Sequence, residues 1–435
     1  MTHKQPANNM HLKYFVLFLF IFSAYGEFFR NFEIQDKAKW TVFVYMNGDN
    51  DLEISITGGV TNDKYSRNPI KNNKTISRTN QIVIPGDFHF ELANLGSNDN
   101  VHVVALVDRV PGYSDYMDNW TNTRFYYIHQ GDFPDDTRGT YWVNVSGSDE
   151  MNMGDPSTLS WFIQTAQKYF PAEYYYLSMW DHNWGWHDGE FEVDFTNNRD
   201  TLSYGDIRIE LQKDKNLFST IDVIGYDACV SAQIEVLHTW RPYANNYAGS
   251  QDYVNDGGVN YATVIRTLYE NPEITPQSLS EIIATTMMTD PEDGCASAFK
   301  LDQTFDNLVN TVDTLANLFI LHLNDIRGRL IKIRSSVAQT PRESDDEFHR
   351  DLYGVAEQTY ECLYDYPDIV QASKELMIAF NETLTYNKVS DTVDSCIGGR
   401  GLTIYWTKEN EKPTFDYYET SFAMATHWDE FLDEF

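Results

Sequence analysis

A histidine and a cysteine stand just after two apolar, strand-like runs of this sequence. The run from Tyr174 to Trp180 is followed by His182, and the run from Ile221 to Tyr226 is followed by Cys229. Because the ends of neighbouring buried strands meet at one edge of a sheet, we expect the two side chains to lie close together. An imidazole can take the proton of a thiol and return it to a leaving amine, so the pair predicts nucleophilic cysteine catalysis.

Both residues also have a purely structural interpretation. Cys229 can serve as a small buried hydrophobe, and His182 as a polar group satisfied within the core. Their order and spacing fit the caspase-type peptidases, in which the histidine precedes the cysteine by about 50 residues, although the local caspase and papain signatures are absent. We expect a helix to begin directly after Cys229, where its positive end would favour the thiolate.

The elements around this pair predict an α/β fold. Trp40 to Met46 and Val101 to Val107 are apolar without alternation, which is typical of strands buried on both faces of a parallel sheet. Asp155 and Pro156 predict a helix start, as cap and first helical residue. Beyond Thr275 the chain is mostly helical, with helices expected at Leu279–Met288, Phe305–Val337, Phe348–Ala356 and Ile369–Phe380.

Composition and the N-terminus restrict location and partners. The 435 residues carry a net charge of -33, which disfavours nucleic acid and anionic membrane surfaces. A weakly basic start, the apolar run Tyr14–Phe22 and the small residues of Ser23–Gly26 predict a cleaved secretory signal. No later stretch approaches about 20 apolar residues. We therefore expect a mature protein without a membrane span, monomeric, and secreted or endolysosomal.

Secretion would expose the chain to glycosylation and to disulfide formation. Glycosylation is predicted on exposed loops, at Asn73, Asn119, Asn144 and Asn381. The chain has four cysteines, and if Cys229 is a free thiol, at most one disulfide bond forms among the remaining three.

Several stretches together resemble the clostripain-like cysteine peptidases, a family with a fold of the caspase and legumain type. The resemblance extends from about Trp40 to the end of the chain and implies a mostly parallel sheet flanked by helices, with a helical C-terminal subdomain. Together with the sequence pattern it leads us to expect a signal peptide at 1–26, a linker or pro-segment at 27–39, a catalytic domain at 40–310 and a mainly helical region at 311–435. The matching stretches are Trp40–Leu52, Asn100–Arg109, Asn152–Leu159, Trp180–His182 with Gly185 and Trp186, Asp222–Cys229, Gly249–Asp252 and Phe422–Leu432.

The resemblance implies roles for individual residues. Cys229 matches the nucleophile and His182 the base, while Asp227 matches an acid of the primary specificity pocket, where it would pair with Arg or Lys of a protein or peptide substrate. Asp252 or Asp256 would supply a second pocket acid, and the choice between them stays open. Asp227 has an alternative role as the cap of a helix after Cys229.

The residues after the histidine depart from the family pattern. In this fold type the backbone N–H groups of the residue after the histidine and of the cysteine hold the oxyanion, here Asn183 and Cys229. The family usually has glycines after the histidine, whereas this chain has Asn183 and Trp184. Asparagine tolerates the left-handed region, and Trp184 could fill a subsite. The departure keeps a second hypothesis open, an inactive binding protein on the same fold.

The resemblance also has implications for proteolytic processing of the chain and for calcium binding. Some members are cut between the histidine and the cysteine, and Arg199 is the most loop-like candidate, with an uncut surface loop as the alternative. Some members use calcium, for which the acid-rich stretches Asn47–Asp51 and Asp188–Asp194 offer oxygen ligands, although neither has a defined calcium spacing. No metal ligand is assigned, and histidines without ligand spacing argue against a metal hydrolase.

These observations lead to one functional prediction and one enzymatic rival. We predict a cysteine endopeptidase that cleaves after Arg or Lys through a dyad of Cys229 and His182. The rival is the same fold with another primary specificity, such as cleavage after Asn.

Overall fold

A large mixed sheet organises the part of the chain that the computed structural model describes, namely residues 33–50, 52, 91–110, 121–132, 143–144, 150–186, 191–254, 258–288, 294–339, 348–390 and 398–435. The predicted signal peptide, Asn73, Asn119 and Asp256 lie outside these residues. The strands of the described chain are β1 (Ala38–Gly48), β2 (Val101–Arg109), β3 (Arg124–Tyr127), β4 (Val143–Asn144), β5 (Ala172–Trp180), β6 (Val223–Asp227), β7 (Asn246–Gly249), β8 (Cys295–Lys300), β9 (His349–Asp351), β10 (Leu384–Val389) and β11 (Thr403–Tyr405).

Nine of these strands form the main sheet in the order β10-β8-β7-β6-β5-β1-β2-β3-β4. The central strands β2, β1, β5, β6 and β7 run parallel, while β3 and β4 on one edge and β8 and β10 on the other pair antiparallel. Strand β1 is buried along almost its whole length, as expected for a strand covered on both faces. The predicted α/β class with a mostly parallel sheet is confirmed.

Helices cover both faces of this sheet. The helices of the described chain are α1 (Ala93–Leu95), α2 (Pro156–Tyr169), α3 (Tyr204–Asp214), α4 (Ile234–Trp240), α5 (Tyr261–Glu270), α6 (Pro276–Thr286), α7 (Gln303–Ser336), α8 (Leu352–Cys362), α9 (Pro367–Thr383) and α10 (Trp428–Glu434). Alternate residues of β1 separate two apolar cores. Phe43 and Tyr45 belong to one core, which also contains residues of α2, α3, α4 and α7, whereas Val42 and Val44 belong to the other, which contains residues of α5 and α6.

Two local predictions about helix starts have opposite outcomes. Asp155 caps α2 as expected, because its Oδ1 accepts the N–H of Ser157 at 2.8 Å and Pro156 occupies the first turn. The helix expected directly after Cys229 begins only at Ile234. Backbone bonds to another part of the chain explain the delay, since Ala232 N–H donates to Ser250 O at 2.8 Å and holds the intervening residues out of a helix.

The C-terminal region is mainly helical but not separate from the sheet. Helix α7 passes without a break across the predicted boundary at residue 310, and β10 adds an edge strand beside β8. Strands β9 and β11 form a small second sheet. Helix α10 packs on α7, where the rings of Phe319 and Phe431 are 5.0 Å apart. The division into domains stays a prediction.

The remaining structural predictions concern surface and cysteines. Cys229 and Cys362 are not disulfide-bonded, whereas Cys295 is. Asn381 is exposed but lies in α9 rather than in a loop, and Asn144 belongs to β4. Among the described helices, none has the length and apolarity needed to cross a bilayer.

Candidate active site

The register of β5 and β6 places the two candidate catalytic residues at matching positions. Trp180 pairs with Asp227 at the last rung of this parallel ladder. His182 follows Trp180 by two residues, and Cys229 follows Asp227 by two residues. Adjacent strands are about 4.8 Å apart. Both residues therefore emerge from the same carboxyl edge of the sheet, on neighbouring strands.

A buried carboxylate holds the backbone at the histidine. The N–H of His182 donates to Oδ1 of Asp181 at 2.6 Å. Asp181 also accepts hydrogen bonds from the side-chain amides of Asn47 at 3.1 Å, near the end of β1, and of Asn50 at 2.7 Å, just after that strand. The histidine segment is thus joined to the neighbouring strand through a side chain that is itself fully engaged.

A glycine takes the left-handed position in the turn after His182. Asn183 is buried and is not among the described residues with positive φ, whereas Gly185 has φ +79°. Oδ1 of Asn183 accepts the N–H of Gly185 at 3.0 Å. A Cβ on Gly185 would lie 2.1 Å from the side chain of Gln233, whose Oε1 accepts the N–H of Trp186 at 3.0 Å. The family usually has glycine directly after the histidine, at the position of Asn183. In this chain glycine is required two residues later, at Gly185.

Trp184 occupies an open position beside this turn. Its side chain is 40% exposed, and its ring meets that of Tyr253 edge-on, with centroids 5.6 Å apart. Tyr253 directly precedes Val254, which contacts Cys229. Tyr253 thus joins Trp184 to the segment whose next residue contacts Cys229.

The thiol of Cys229 is held by the loop that follows β7. The N–H of Val254 points to Sγ at 3.3 Å, and the carbonyl oxygen of Val254 lies 3.8 Å from Sγ. The expected contribution of a helix N-terminus is wrong, because α4 starts five residues later. A backbone N–H that points at sulfur stabilises negative charge on the sulfur. The N–H of Val254 can therefore favour the thiolate of Cys229 in place of a helix N-terminus.

The residue after Cys229 has an unusual backbone. Val230 has φ +49°, which is rare for a β-branched residue, and its side chain is 2% exposed. Its N–H donates to the carbonyl oxygen of Asp252 at 2.9 Å. The C-terminal strand supports the same segment, because Thr403 N–H donates to Ala232 O at 3.0 Å and Tyr405 N–H donates to Oε1 of Glu235 at 3.0 Å.

Asp227 is a buried carboxyl beside a second acid. It is 8% exposed, and its Oδ1 accepts the N–H of Val259 at 2.9 Å. Burial, with a smaller contribution from the nearby carboxylate of Glu91, raises the pKa of Asp227 to about 7. Glu91 accepts the N–H of Tyr261 at 2.6 Å, and burial raises its pKa to about 7 as well. No sequence pattern marked Glu91.

Three other predicted positions can be placed or excluded. The alternative role of Asp227 as a helix cap is wrong, because Gln233 precedes α4 and Asp227 bonds to Val259. The carboxylate of Asp252 is buried against Gly294, where an added Cβ would lie 2.4 Å from Oδ2. Arg199 lies exposed in a turn with φ +58°, its guanidinium 4.2 Å from the ring centre of Phe195.

Acidic residues converge at the ends of β1 and β2. Asp49 and Asp194, from the two acid-rich stretches singled out in the sequence, meet Asp108 and Glu150, and each offers an oxygen within 4.8 Å of the others. Asp108 was recognisable as a polar residue at the end of a buried strand, whereas Glu150 carried no signal. Carboxylate oxygens of this kind are ligands for hard divalent cations.

Comparisons with known proteins agree with the sequence resemblance. The model of the clostripain family matches residues 89–435. Clostripain of Hathewaya histolytica is 24% identical over 316 residues, which are 66% of this chain and 50% of that protein. The chain thus spans about half the length of this curated relative.

Solved structures share the fold over nearly the whole chain. A secreted C11 cysteine protease from Bacteroides thetaiotaomicron, in complex with an irreversible peptide inhibitor, has a TM-score of 0.61 at 17% identity and covers 91% of this chain and 99% of its own. An inactive zymogen C11 protease from Parabacteroides distasonis has a TM-score of 0.60 at 17% identity, covering 90% and 99%. Because the family model matches most of its residues, this chain belongs to the clostripain family of cysteine peptidases.

Proposed function

We propose that the chain is a cysteine endopeptidase that cleaves peptide bonds after Arg or Lys, with Cys229 as nucleophile and His182 as general base. The observation that carries the proposal is the paired register of Trp180 and Asp227, which puts His182 and Cys229 two residues beyond adjacent strand ends. Membership of a cysteine peptidase family supports it.

The chemistry follows from these positions. His182 accepts the proton of Cys229, and the sulfur attacks the substrate carbonyl carbon. The N–H groups of Asn183 and Cys229 stabilise the oxyanion, and protonated His182 gives its proton to the leaving amine. Water then attacks the thioester, with His182 again as base, and releases the carboxylic acid. The N–H of Val254 lowers the cost of charge on sulfur between these steps.

Asp227 and Glu91 support a preference for basic side chains. The buried carboxyl of Asp227 and the half-buried carboxyl of Glu91 hold protons more readily than exposed carboxyls do. A guanidinium or ammonium group would favour their ionised forms by pairing with them. Arginine has the advantage of a planar fork that can bond a carboxylate at two points.

A second candidate, cleavage after Asn, is favoured by one observation. A carboxyl whose pKa is about 7 is partly protonated at neutral pH and then presents both a donor and an acceptor. That combination complements a side-chain amide. Comparison of matched peptide reporters with Arg, Lys, Asn or Gln before the cleaved bond separates the candidates.

The test of the dyad compares Cys229 with Cys362, a second described cysteine that is not disulfide-bonded. Cys229→Ala and His182→Ala should abolish hydrolysis of an arginyl reporter, whereas Cys362→Ala should retain it, because Cys362 is a free, half-buried thiol at the end of α8. An irreversible peptide inhibitor should label Cys229 alone. Folded wild type that neither hydrolyses any reporter nor reacts with the inhibitor would support the inactive binding protein instead.

Processing and secretion complete the proposal. Exposure of Arg199 in a turn supports it as a cleavage site, although its left-handed backbone must first become extended. Arg199→Ala should prevent cleavage between His182 and Cys229. Arg208→Ala, at a position within α3, should be cleaved as the wild type is. The predicted signal and secreted relatives support export. Mass spectrometry of the N-terminus of exported protein tests cleavage after Gly26.

A further inference from the structure

An exposed aromatic side chain lies two residues after the proposed base. Among the described tryptophans, Trp184 is the exposed one, with an exposed fraction of 40%, whereas the nearby Asn183 and Trp186 are buried. A single apolar side chain on a protein surface needs no special explanation. Trp184 differs because its backbone is fixed close to the proposed dyad and because its ring has an aromatic partner there.

Hydrogen bonds on both sides fix the backbone that carries Trp184. On one side, Oδ1 of Asn183 accepts the N–H of Gly185 at 3.0 Å. On the other, Oε1 of Gln233 accepts the N–H of Trp186 at 3.0 Å. An aromatic side chain on a fixed turn can bind a ligand without first ordering its own backbone, which lowers the entropic cost of binding.

The ring that Trp184 meets belongs to the segment that contacts the proposed nucleophile. The rings of Trp184 and Tyr253 meet edge-on, with centroids 5.6 Å apart. The next residue, Val254, directs its N–H to Sγ of Cys229 at 3.3 Å, and its side chain packs against an apolar core. The Cα of Tyr253 therefore lies within about 6 Å of this sulfur, and that of Trp184 within about 7 Å of the Cα of His182.

The reaction itself distinguishes the two sides of the cleaved bond. Protonated His182 must reach the leaving amine, which belongs to the residue directly after that bond. The residue before the bond is assigned to Asp227, whose Oδ1 is bonded to the N–H of Val259 and not to the aromatic pair. Because Trp184 is carried by the histidine segment, the pair belongs with the leaving side.

We propose that Trp184 and Tyr253 form a binding surface for an apolar or aromatic side chain of the substrate residue directly after the cleaved bond. The inference rests on the proposed peptidase function and adds a second determinant of specificity to Asp227. A side chain that packs on the two rings leaves water and gains contacts with their faces and edges. An acidic side chain would lose hydration there and would be repelled by the net charge of -33.

Peptide reporters that share Arg before the cleaved bond and differ only in the residue after it test the proposal. In wild type, kcat/KM should be about tenfold higher with Phe or Leu after the bond than with Gly, and lowest with Asp. Trp184→Ala and Tyr253→Ala should each reduce the preference for Phe over Gly to within about twofold, whereas Trp184→Phe should keep most of it. Each ratio compares two substrates on one enzyme, so a general loss of folded protein cancels.

Interception of the acyl-enzyme tests the leaving side alone. When an amino acid amide attacks the thioester carbonyl, an amide bond forms, the carbon–sulfur bond breaks and the thiol of Cys229 is released. The attacking amine occupies the position of the residue after the bond. Phenylalaninamide should therefore compete with water about tenfold better than glycinamide in wild type, and this advantage should be lost in Trp184→Ala.

A matched variant separates this surface from exposed aromatic residues in general. Tyr360 is 38% exposed on α8, and Tyr360→Ala should keep the wild-type preference. Wild type without a preference after the bond, an unchanged preference in Trp184→Ala, or a change confined to residues before the bond would overturn the proposal. Cleavage that persists in Cys229→Ala would instead refute the proposed function, and the inference with it.

Discussion

The side-chain oxygen Oε1 of Gln233 accepts the backbone N–H of Trp186 at 3.0 Å and thereby joins the turn after His182 to the start of α4. Gln233 is buried and lies four residues after Cys229. One side chain therefore connects the two segments that carry the proposed dyad. Positional errors of about 1 Å between catalytic groups can cost about a hundredfold in rate.

Removal of this connection should affect catalysis more than stability. Gln233→Ala should lower kcat/KM by about 10- to 100-fold and destabilise the fold by about 1–3 kcal/mol. Gln167→Ala is the matched control, because Gln167 bonds the backbone of Ser219 at 2.6 and 3.0 Å, remote from the proposed dyad. Urea unfolding should show that the two variants are destabilised to a similar extent, whereas steady-state kinetics should show a loss of activity only for Gln233→Ala. Equal kcat/KM values for the two variants would contradict a role of Gln233 in positioning the dyad.

Gly185 and Gly131 both have a left-handed backbone, but we expect them to differ in their tolerance of substitution by alanine. Gly185→Ala should abolish most activity and cost about 3 kcal/mol or more, because the strained backbone is combined with a collision with Gln233. Gly131 has a similar φ of +82° but no atom within 4 Å of an added Cβ. Gly131→Ala should cost only about 1–2 kcal/mol and keep full activity. An active Gly185→Ala enzyme would refute the steric argument.

Asp227→Asn should change primary specificity. Without the carboxylate, kcat/KM for an arginyl reporter should fall by about two orders of magnitude or more, because the buried charge pair with the substrate is lost. Asp222→Asn provides the control at the opposite end of the same strand, where Asp222 accepts the N–H of Tyr175 at 2.9 Å. An unchanged ratio of Arg to Asn cleavage in Asp227→Asn would exclude this residue from the pocket.

Glu235 predicts a stability that falls as the pH rises. Burial raises its pKa to about 7, so the folded state holds the proton that the unfolded state releases near 4.5. This contribution is complete below about pH 4.5 and is lost as the pH rises through about 7, a change on the order of 2–3 kcal/mol. Glu235→Gln should flatten unfolding free energy between pH 5 and 8 relative to wild type. Exposed Glu361→Gln should keep the wild-type slope, and an equally steep Glu235→Gln curve would contradict the assignment.

Apolar runs and their polar ends predicted the strands and the positions of His182 and Cys229, because burial on both faces leaves a clear local pattern. The helix after Cys229 was placed too early, since Ala232 and Val230 are held by backbone partners at Ser250 and Asp252 that no local pattern reveals. Glu91 and Glu150 escaped prediction for a related reason. Their importance arises only from residues that lie far away in the sequence.

The contacts of β11 carry a consequence for when activity can arise. Thr403 and Tyr405 hold the backbone of Ala232 and the side chain of Glu235, just beyond the proposed nucleophile. Strand β8 likewise lacks its outer neighbour until β10 has been synthesised. A nascent chain emerging from the ribosome therefore contains His182 and Cys229 long before their support exists. The order of synthesis itself would delay proteolysis until β10 and β11 have been made.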